Sequence, residues 1–266
     1  MAGGQAVKNA CKSTPPMVLM NTVEVMLTAS KSQPNSDKEK DKGSIAPASR
    51  RILNQFDPAR NGLEEYLRNP HHPRVISYND DFVVIKDLYP KATVHLLILP
   101  RDEAKQHQHP CEAFEDSDFF SKVKAEAARW QTIAAKELAR TLCPSSAPIP
   151  ERDWEKEIKV GIHMNPSMNH LHIHVISRDM RSPFLRHRKH YNSFTTPFFA
   201  ELHEFPLSEE EEYLKRLDWH LRDMTCRRCG MNFGNRFKAL KEHLEQEFEG
   251  WKSELIKINP LRSAVA

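Results

Sequence analysis

Between Asn169 and Ser177 the chain reads NHLHIHVIS, three histidines at alternate positions with Leu171, Ile173 and Val175 between and after them. Successive side chains of a strand leave on opposite faces, so His170, His172 and His174 share one face and the apolar residues share the other. The apolar face requires a covering layer. The imidazole face suits metal ligation, a proton relay, or a nucleophile with supporting donors, because only histidine changes charge near neutral pH without a large environmental shift. A half-buried strand that is merely rich in histidine is the plain alternative. Strictly apolar interleaving, with Ser167 just ahead and a basic tail just behind, suits an anionic substrate better than a metal.

The cover is found in residues 112 to 141. There Phe114, Phe119, Phe120, Val123, Ala127, Trp130, Ile133, Ala134 and Leu138 form a helical stripe long enough to cover one sheet face. Asn61 is a candidate cap for a short helix holding Leu63, Tyr66 and Leu67, closed by Pro70. Strand-like runs follow at 74 to 78 and 81 to 86, with Asn79-Asp80 between them, and at 93 to 99, ended by Pro100. Another, 157 to 163, joins the histidine strand through a turn at Asn165-Pro166. The expectation is an α+β fold, an antiparallel sheet of about five strands with a long covering helix, over residues 50 to 205.

Residues 31 to 50 hold almost no large apolar side chains, so residues 1 to 49 are expected to form a disordered arm. No apolar run approaches the roughly 20 residues of a bilayer span, and no secretory signal is evident. Five cysteines, an odd number with only 226 and 229 close together, favour a reducing compartment. A net charge of +3 permits a nucleic-acid partner without demanding one.

From residue 206 to 266 the pattern changes to a small helical zinc-finger domain. Ser208 and Glu211 make a capping box, with Leu214, Leu217 and Leu221 following at helical spacing. A second helix, about 236 to 248, carries Phe237, Leu240, Leu244 and Phe248 on one stripe. Between them, Cys226 and Cys229 have the spacing that lets two thiolates reach one tetrahedral zinc. His243 follows on the helix, and Glu247, four residues on, lies on the same face and completes the set. One structural zinc per chain is expected, and the resemblance drawn below implies no catalytic metal. Residues 181 to 190 carry Arg181, Arg186, Arg188, Lys189 and two histidines without an acidic residue. Beside a phosphate-handling strand such a run predicts sequence-independent contact with a nucleic-acid backbone, Lys189 and Lys91 foremost. The short helix with Leu63 and Tyr66 is a candidate for stacking on an exposed base.

These motifs carry a resemblance. His170 to Ile176 matches the histidine-triad pattern, His-φ-His-φ-His-φ-φ, in full. Residues 83 to 92, VVIKDLYPKA, and 95 to 101, HLLILPR, resemble the two strands that precede the triad in that superfamily. GIHMNPSM at 161 to 168 and SPFLRHRKHYNSF at 182 to 194, with the finger behind them, resemble its aprataxin branch, over residues 50 to 255. The resemblance implies that His172 is the nucleophile, forming a covalent histidine-AMP that water hydrolyses. It implies that His170 and His174 set its tautomer and donate to phosphate oxygens, and that His163 serves the phosphate or leaving group. It further implies that Asp87 takes ribose hydroxyls and that Leu88, Ser167 and Met168 line the AMP site. Lys91, Ser177, Arg188 and Lys189 would meet DNA. Vertebrate members end the finger with histidine, so Glu247 departs from that pattern and leaves His220 as the alternative ligand.

The implied activity is removal of AMP from the 5′-phosphate of a nicked or broken DNA, or of an RNA-DNA junction, after abortive ligation in single-strand break repair. AMP is the product, and no membrane is involved. A fungal-type chain without the forkhead-associated domain, monomeric and nuclear or partly cytoplasmic, is the expectation. Two alternatives stand beside it: a hydrolase of small adenylates, which needs neither basic loop nor finger, and a non-catalytic zinc-finger nucleic-acid binding protein.

Overall fold

A computed structural model describes residues 58 to 143, 152 to 217 and 219 to 258. The arm expected at 1 to 49 lies outside the described residues. All described residues belong to one compact unit.

The expected meander forms. Helix α1 (Glu64–Arg68) leads into β1 (Val75–Tyr78), β2 (Phe82–Lys86) and β3 (His95–Pro100). The turn between β1 and β2 closes because the Asn79 side chain accepts from the amides of Asp81 and Phe82. Two one-turn helices, α2 (Glu103–Gln106) and α3 (Pro110–Ala113), precede the long α4 (Ser117–Leu142). Helix α4 starts later than its apolar stripe suggests because Asp116 caps it, accepting from the amides of Asp118 and Phe119. Strands β4 (Ile158–His163) and β5 (Ile173–Ser177) follow, then α5 (Arg188–Thr195) and β6 (Phe199–Glu201). The remainder comprises α6 (Glu209–Arg216), β7 (Met224–Thr225), β8 (Asn232–Gly234) and α7 (Phe237–Ile258).

The main sheet has six strands in the order β1-β2-β3-β5-β4-β6, all antiparallel, one more than expected. The added strand, β6, pairs with β4 through Gly161. A Cβ there would meet the Ala200 carbonyl oxygen at 2.2 Å and the Phe199 ring at 2.6 Å, so only glycine allows the approach.

One sheet face, with Phe82, Val84, Leu96, Ile98, Ile158, Ile162, Ile173 and Val175, packs on the α4 stripe from Phe119 to Leu142. Ile133 alone of the expected stripe is exposed. Phe248, Trp251 and Leu255 from the second half of α7 join this core, while Leu240 and Leu244 from its first half join Met224, Phe233, Tyr191 and Ile176 on the opposite face. Helix α7 thus runs ten residues beyond the expected end at 248, because its later turns carry Trp251 and Leu255 at buried positions. Helix α6 instead stops at Arg216. Leu217 takes an extended conformation as its cap and Leu221 is exposed, so neither continues the stripe.

The histidine face of the sheet is covered only at its two ends. A cluster of Leu63, Tyr66, Val83, Ile85, Leu97 and Leu99 sits at the β2-β3 end, and the Ile176, Phe194 and Phe199 cluster at the other. Between these two apolar patches the sheet meets a cavity.

Candidate active site and zinc-ligand cluster

The regular strand β5 begins only at Ile173, so His170, in a bend, and His172, in irregular chain, precede it and His174 alone is within it. His172 and His174 line the cavity, of about 640 Å³, and their ring centroids are 4.8 Å apart. His170 departs from the expected row. It does not line the cavity; its ring packs 4.5 Å from that of His107, and its carbonyl rather than its ring serves His172. The lead-in is free of the pleat that would hold three side chains to one face, which is the physical reason for the departure.

Burial fixes the protonation of the cluster. It lowers His172, lowers His174 well below the ordinary histidine range, and takes His163 to about 3 and His95 to about 4, the last against the opposing pull of Asp87. At neutral pH these rings are uncharged, each with one N–H and one lone pair. The assignments follow from the network. His172 Nδ1–H donates to the His170 carbonyl at 2.7 Å, which leaves the lone pair on Nε2. His95 Nδ1 accepts from the Lys91 amide at 3.2 Å, so its Nε2–H donates to His174 Nδ1 at 3.0 Å. His174 therefore carries its proton on Nε2, which is buried and meets no protein acceptor. His163 Nε2–H donates to the Ser193 carbonyl at 3.0 Å. The cavity thus holds a neutral nucleophilic nitrogen beside an uncommitted N–H donor, a pair suited to an electrophile that carries anionic oxygens.

The two ends of the cavity differ. Gly62, Leu63, Tyr66, Ile85, Leu97 and Met168 make one end apolar, whereas Lys91, His187, Lys189 and His190 line the other. Asp87 stands between, 3.6 Å from His95 Nε2, with Leu88 and Ser167 on the wall. Of the residues expected to meet DNA, Lys91 and Lys189 line the cavity and Arg188 lies outside it. Ser177 is a correction. It is fully buried, its hydroxyl bonded to the Asp179 carboxylate and its region tied to Val94, so it presents nothing to a DNA backbone. Sequence reasoning gave His95, His187, His190 and Phe194 no individual role in this cavity, and it named His220 only as an alternative zinc ligand. The first had a signal: with Leu97 and Leu99 it occupies the alternate positions of β3 that face the triad.

Donor atoms of Cys226, Cys229, His243 and Glu247 all lie within 4.8 Å of one another. Cys229 Sγ is 3.2 Å from His243 Nε2, which is 3.4 Å from Glu247 Oε1. Two thiols, an imidazole and a carboxylate gathered by a β-turn and one helix face fit a tetrahedral zinc, whose role there is to hold the finger together. His220 sits elsewhere, against Phe198 in the cavity wall, so Glu247 completes this group. Another grouping of possible donors, His109, Cys111 and Glu212, is penetrated by Arg216, which pairs with Glu212 and stands 3.1 Å from His109 Nε2.

Two family models match the chain: the C-terminal binding region of the scavenger mRNA decapping enzyme over residues 61 to 190, and the C2HE / C2H2 / C2HC zinc-binding finger over 195 to 250. The aprataxin-like protein of Schizosaccharomyces pombe is 33% identical over 198 residues, 72% of this chain and 82% of that protein. The aprataxin-like protein of Saccharomyces cerevisiae is 34% identical over 218 residues, 71% of this chain and 95% of that protein. Among solved structures, the aprataxin ortholog Hnt3 of Schizosaccharomyces pombe matches with a TM-score of 0.63 at 32% identity, covering 73% of this chain and 95% of that one. The same ortholog in complex with DNA matches with a TM-score of 0.62 at 30% identity, over 75% and 99% of the two chains.

Proposed function

The chain belongs to the family of aprataxin-like proteins, and from that premise we propose that it hydrolyses the phosphoanhydride joining AMP to the 5′-phosphate of a DNA break, with His172 as nucleophile. The observation that carries the reading is the tautomer chain. It leaves a neutral His172 Nε2 next to the free N–H of His174 in a cavity apolar at one end and basic at the other. The nucleoside fits the apolar end, near Leu63, Tyr66 and Leu97, with Asp87 placed to accept from ribose hydroxyls. The polynucleotide leaves by the basic end.

The lone pair of His172 Nε2 attacks the adenylyl phosphorus, and the bond from phosphorus to the bridging oxygen breaks. The 5′-phosphate departs with that electron pair and needs no proton to do so. The resulting phosphoimidazolium keeps its Nδ1–H on the His170 carbonyl, and the N–H of His174 meets the phosphoryl oxygens as charge gathers on them. Water then attacks the same phosphorus, AMP carries off the adenylyl group, one proton goes to solvent, and neutral His172 returns. His163, whose N–H is held by Ser193, lends its lone pair to a proton on the incoming water. The zinc finger and the Lys91–Lys189 mouth bind the DNA backbone. Action on RNA-DNA junctions, as a monomer in the nucleus during single-strand break repair, completes the proposal.

AMP release from a 5′-adenylated nicked duplex, at two salt concentrations and beside a small adenylate such as AMP-lysine, tests it. Fast, salt-sensitive release from DNA that is lost in His172→Ala supports the reading. Equal, salt-indifferent turnover of the small adenylate points to a general nucleotide hydrolase.

A further inference from the structure

At the basic mouth of the cavity two loops far apart in sequence raise a pair of aromatic rings. Tyr89, 55% exposed, meets Phe184 edge to face with centroids 5.6 Å apart. Each ring has a cation beside it: the Lys91 amine lies 5.9 Å from the Tyr89 centroid and the Arg186 guanidinium 5.8 Å from that of Phe184. The pair is held in place. The Ser182 hydroxyl donates to the Pro90 carbonyl and accepts from the Phe184 amide, which ties the two loops together. The Tyr89 amide donates to the Asp87 carboxylate at 2.6 Å, which ties the ring to the wall of the cavity. A single exposed tyrosine means little. An anchored aromatic pair flanked by two cations, at the mouth through which a phosphorylated strand must leave, matches the combination that grips unpaired nucleotides: stacking for the base and positive charge for its phosphate.

We propose that Tyr89 and Phe184 form a stacking platform for the first unpaired nucleobase next to the processed 5′-phosphate, with Lys91 and Arg186 holding the phosphates on either side. This rests on the polynucleotide reading above. The platform is indifferent to base identity, since every base offers a π-face and no hydrogen-bonding edge is read.

The full chain is mixed with two 5′-phosphorylated overhang duplexes that differ only at the first unpaired nucleotide, intact in one and abasic in the other, and binding is followed by fluorescence anisotropy. The abasic duplex should bind roughly tenfold more weakly. Tyr89→Leu, which keeps bulk and loses the ring, should bind both at the abasic level, and Tyr89→Phe should restore the preference. Phe184→Ala, which removes the supporting ring, is a second variant expected to narrow the gap. Equal affinity for the two duplexes, or a preference that survives Tyr89→Leu and Phe184→Ala, overturns the platform. AMP release from the adenylated form of the intact duplex is measured in parallel. Release without a base preference overturns the platform alone, a base preference without release overturns the hydrolase reading alone, and binding of neither duplex overturns both.

Discussion

Of the clusters of possible metal donors among the described residues, two have opposite chemistry. Cys226, Cys229, His243 and Glu247 gather their donor atoms within 4.8 Å, and so do Asp87, His95 and His174. In the first, thiols and a carboxylate bring negative charge and lone pairs that can converge on a cation. In the second, the Nδ1 lone pairs of both imidazoles are taken, by the Lys91 amide and by the N–H of His95, so His174 offers an N–H and the Asp87 carboxylate alone offers free lone pairs. A cation needs converging lone pairs. A phosphate needs converging N–H groups. Proximity alone does not separate the two cases; the order of protons along the chain Lys91-His95-His174 does.

The largest effect expected from breaking this contrast is at the nucleophile. His172→Ala should lower kcat for AMP release by at least about a thousandfold, since no neighbouring lone pair can replace Nε2, while duplex affinity stays close to that of the parent. Cys229→Ser or Glu247→Ala acts on the other cluster. Zinc content measured after gel filtration should fall, and the thermal midpoint should drop by several degrees or more, because a structural zinc contributes folding free energy directly. A prolonged chelator challenge should have the same effect on stability.

His95→Leu sharpens the comparison within the anion site. Without the His95 N–H, His174 can move its proton to Nδ1 and turn a lone pair toward the substrate. Single-turnover kinetics should show roughly a tenfold to hundredfold loss in the chemical step, with substrate binding little changed. Gly161→Ala forces β6 away from β4 and should cost about 1–3 kcal/mol in denaturant unfolding.

A further effect is that of pH. His95 and His163 titrate near 4 and 3 when folded, below the 6.5 of the unfolded chain. Between pH 6.5 and about 4 the unfolded state binds protons that the folded state refuses, so these two residues stabilise the fold above pH 6.5 and that contribution is lost as pH falls. The thermal midpoint should therefore decline from pH 7 to pH 5. Because His172 is also lowered, the acid limb of kcat/KM should lie below pH 6.5.

The finger was legible because its ligands are set by local geometry, two residues between the cysteines and four from His243 to Glu247 on one helix face. His172 and His174 were legible for a similar reason, with the alternation of a strand in place of a helical turn. What sequence periodicity could not supply was contact across the sheet. His95 becomes a partner of His174 only through the β3-β5 register, in which Leu97 faces His174. His170 leaves the row because a strand pattern extends into a lead-in that is not pleated. Strand β6, three residues long, has no periodicity to read, and its existence depends on Gly161 forty residues upstream. Ser177 was expected at the DNA by resemblance alone, yet Val94 and Asp179 enclose it from segments distant in sequence or past a turn.

The central claim is that one lone pair, on His172, makes the bond to phosphorus. Mixing the protein with excess 5′-adenylated duplex, quenching in base within milliseconds and mapping peptides by mass spectrometry tests it most directly. The account predicts one adenylyl group per chain on the peptide containing His172, carried by its imidazole and lost on brief acid treatment as AMP. AMP release at full rate with no adduct at any quench time, or an adduct on His163, His174 or a lysine in its place, would contradict it.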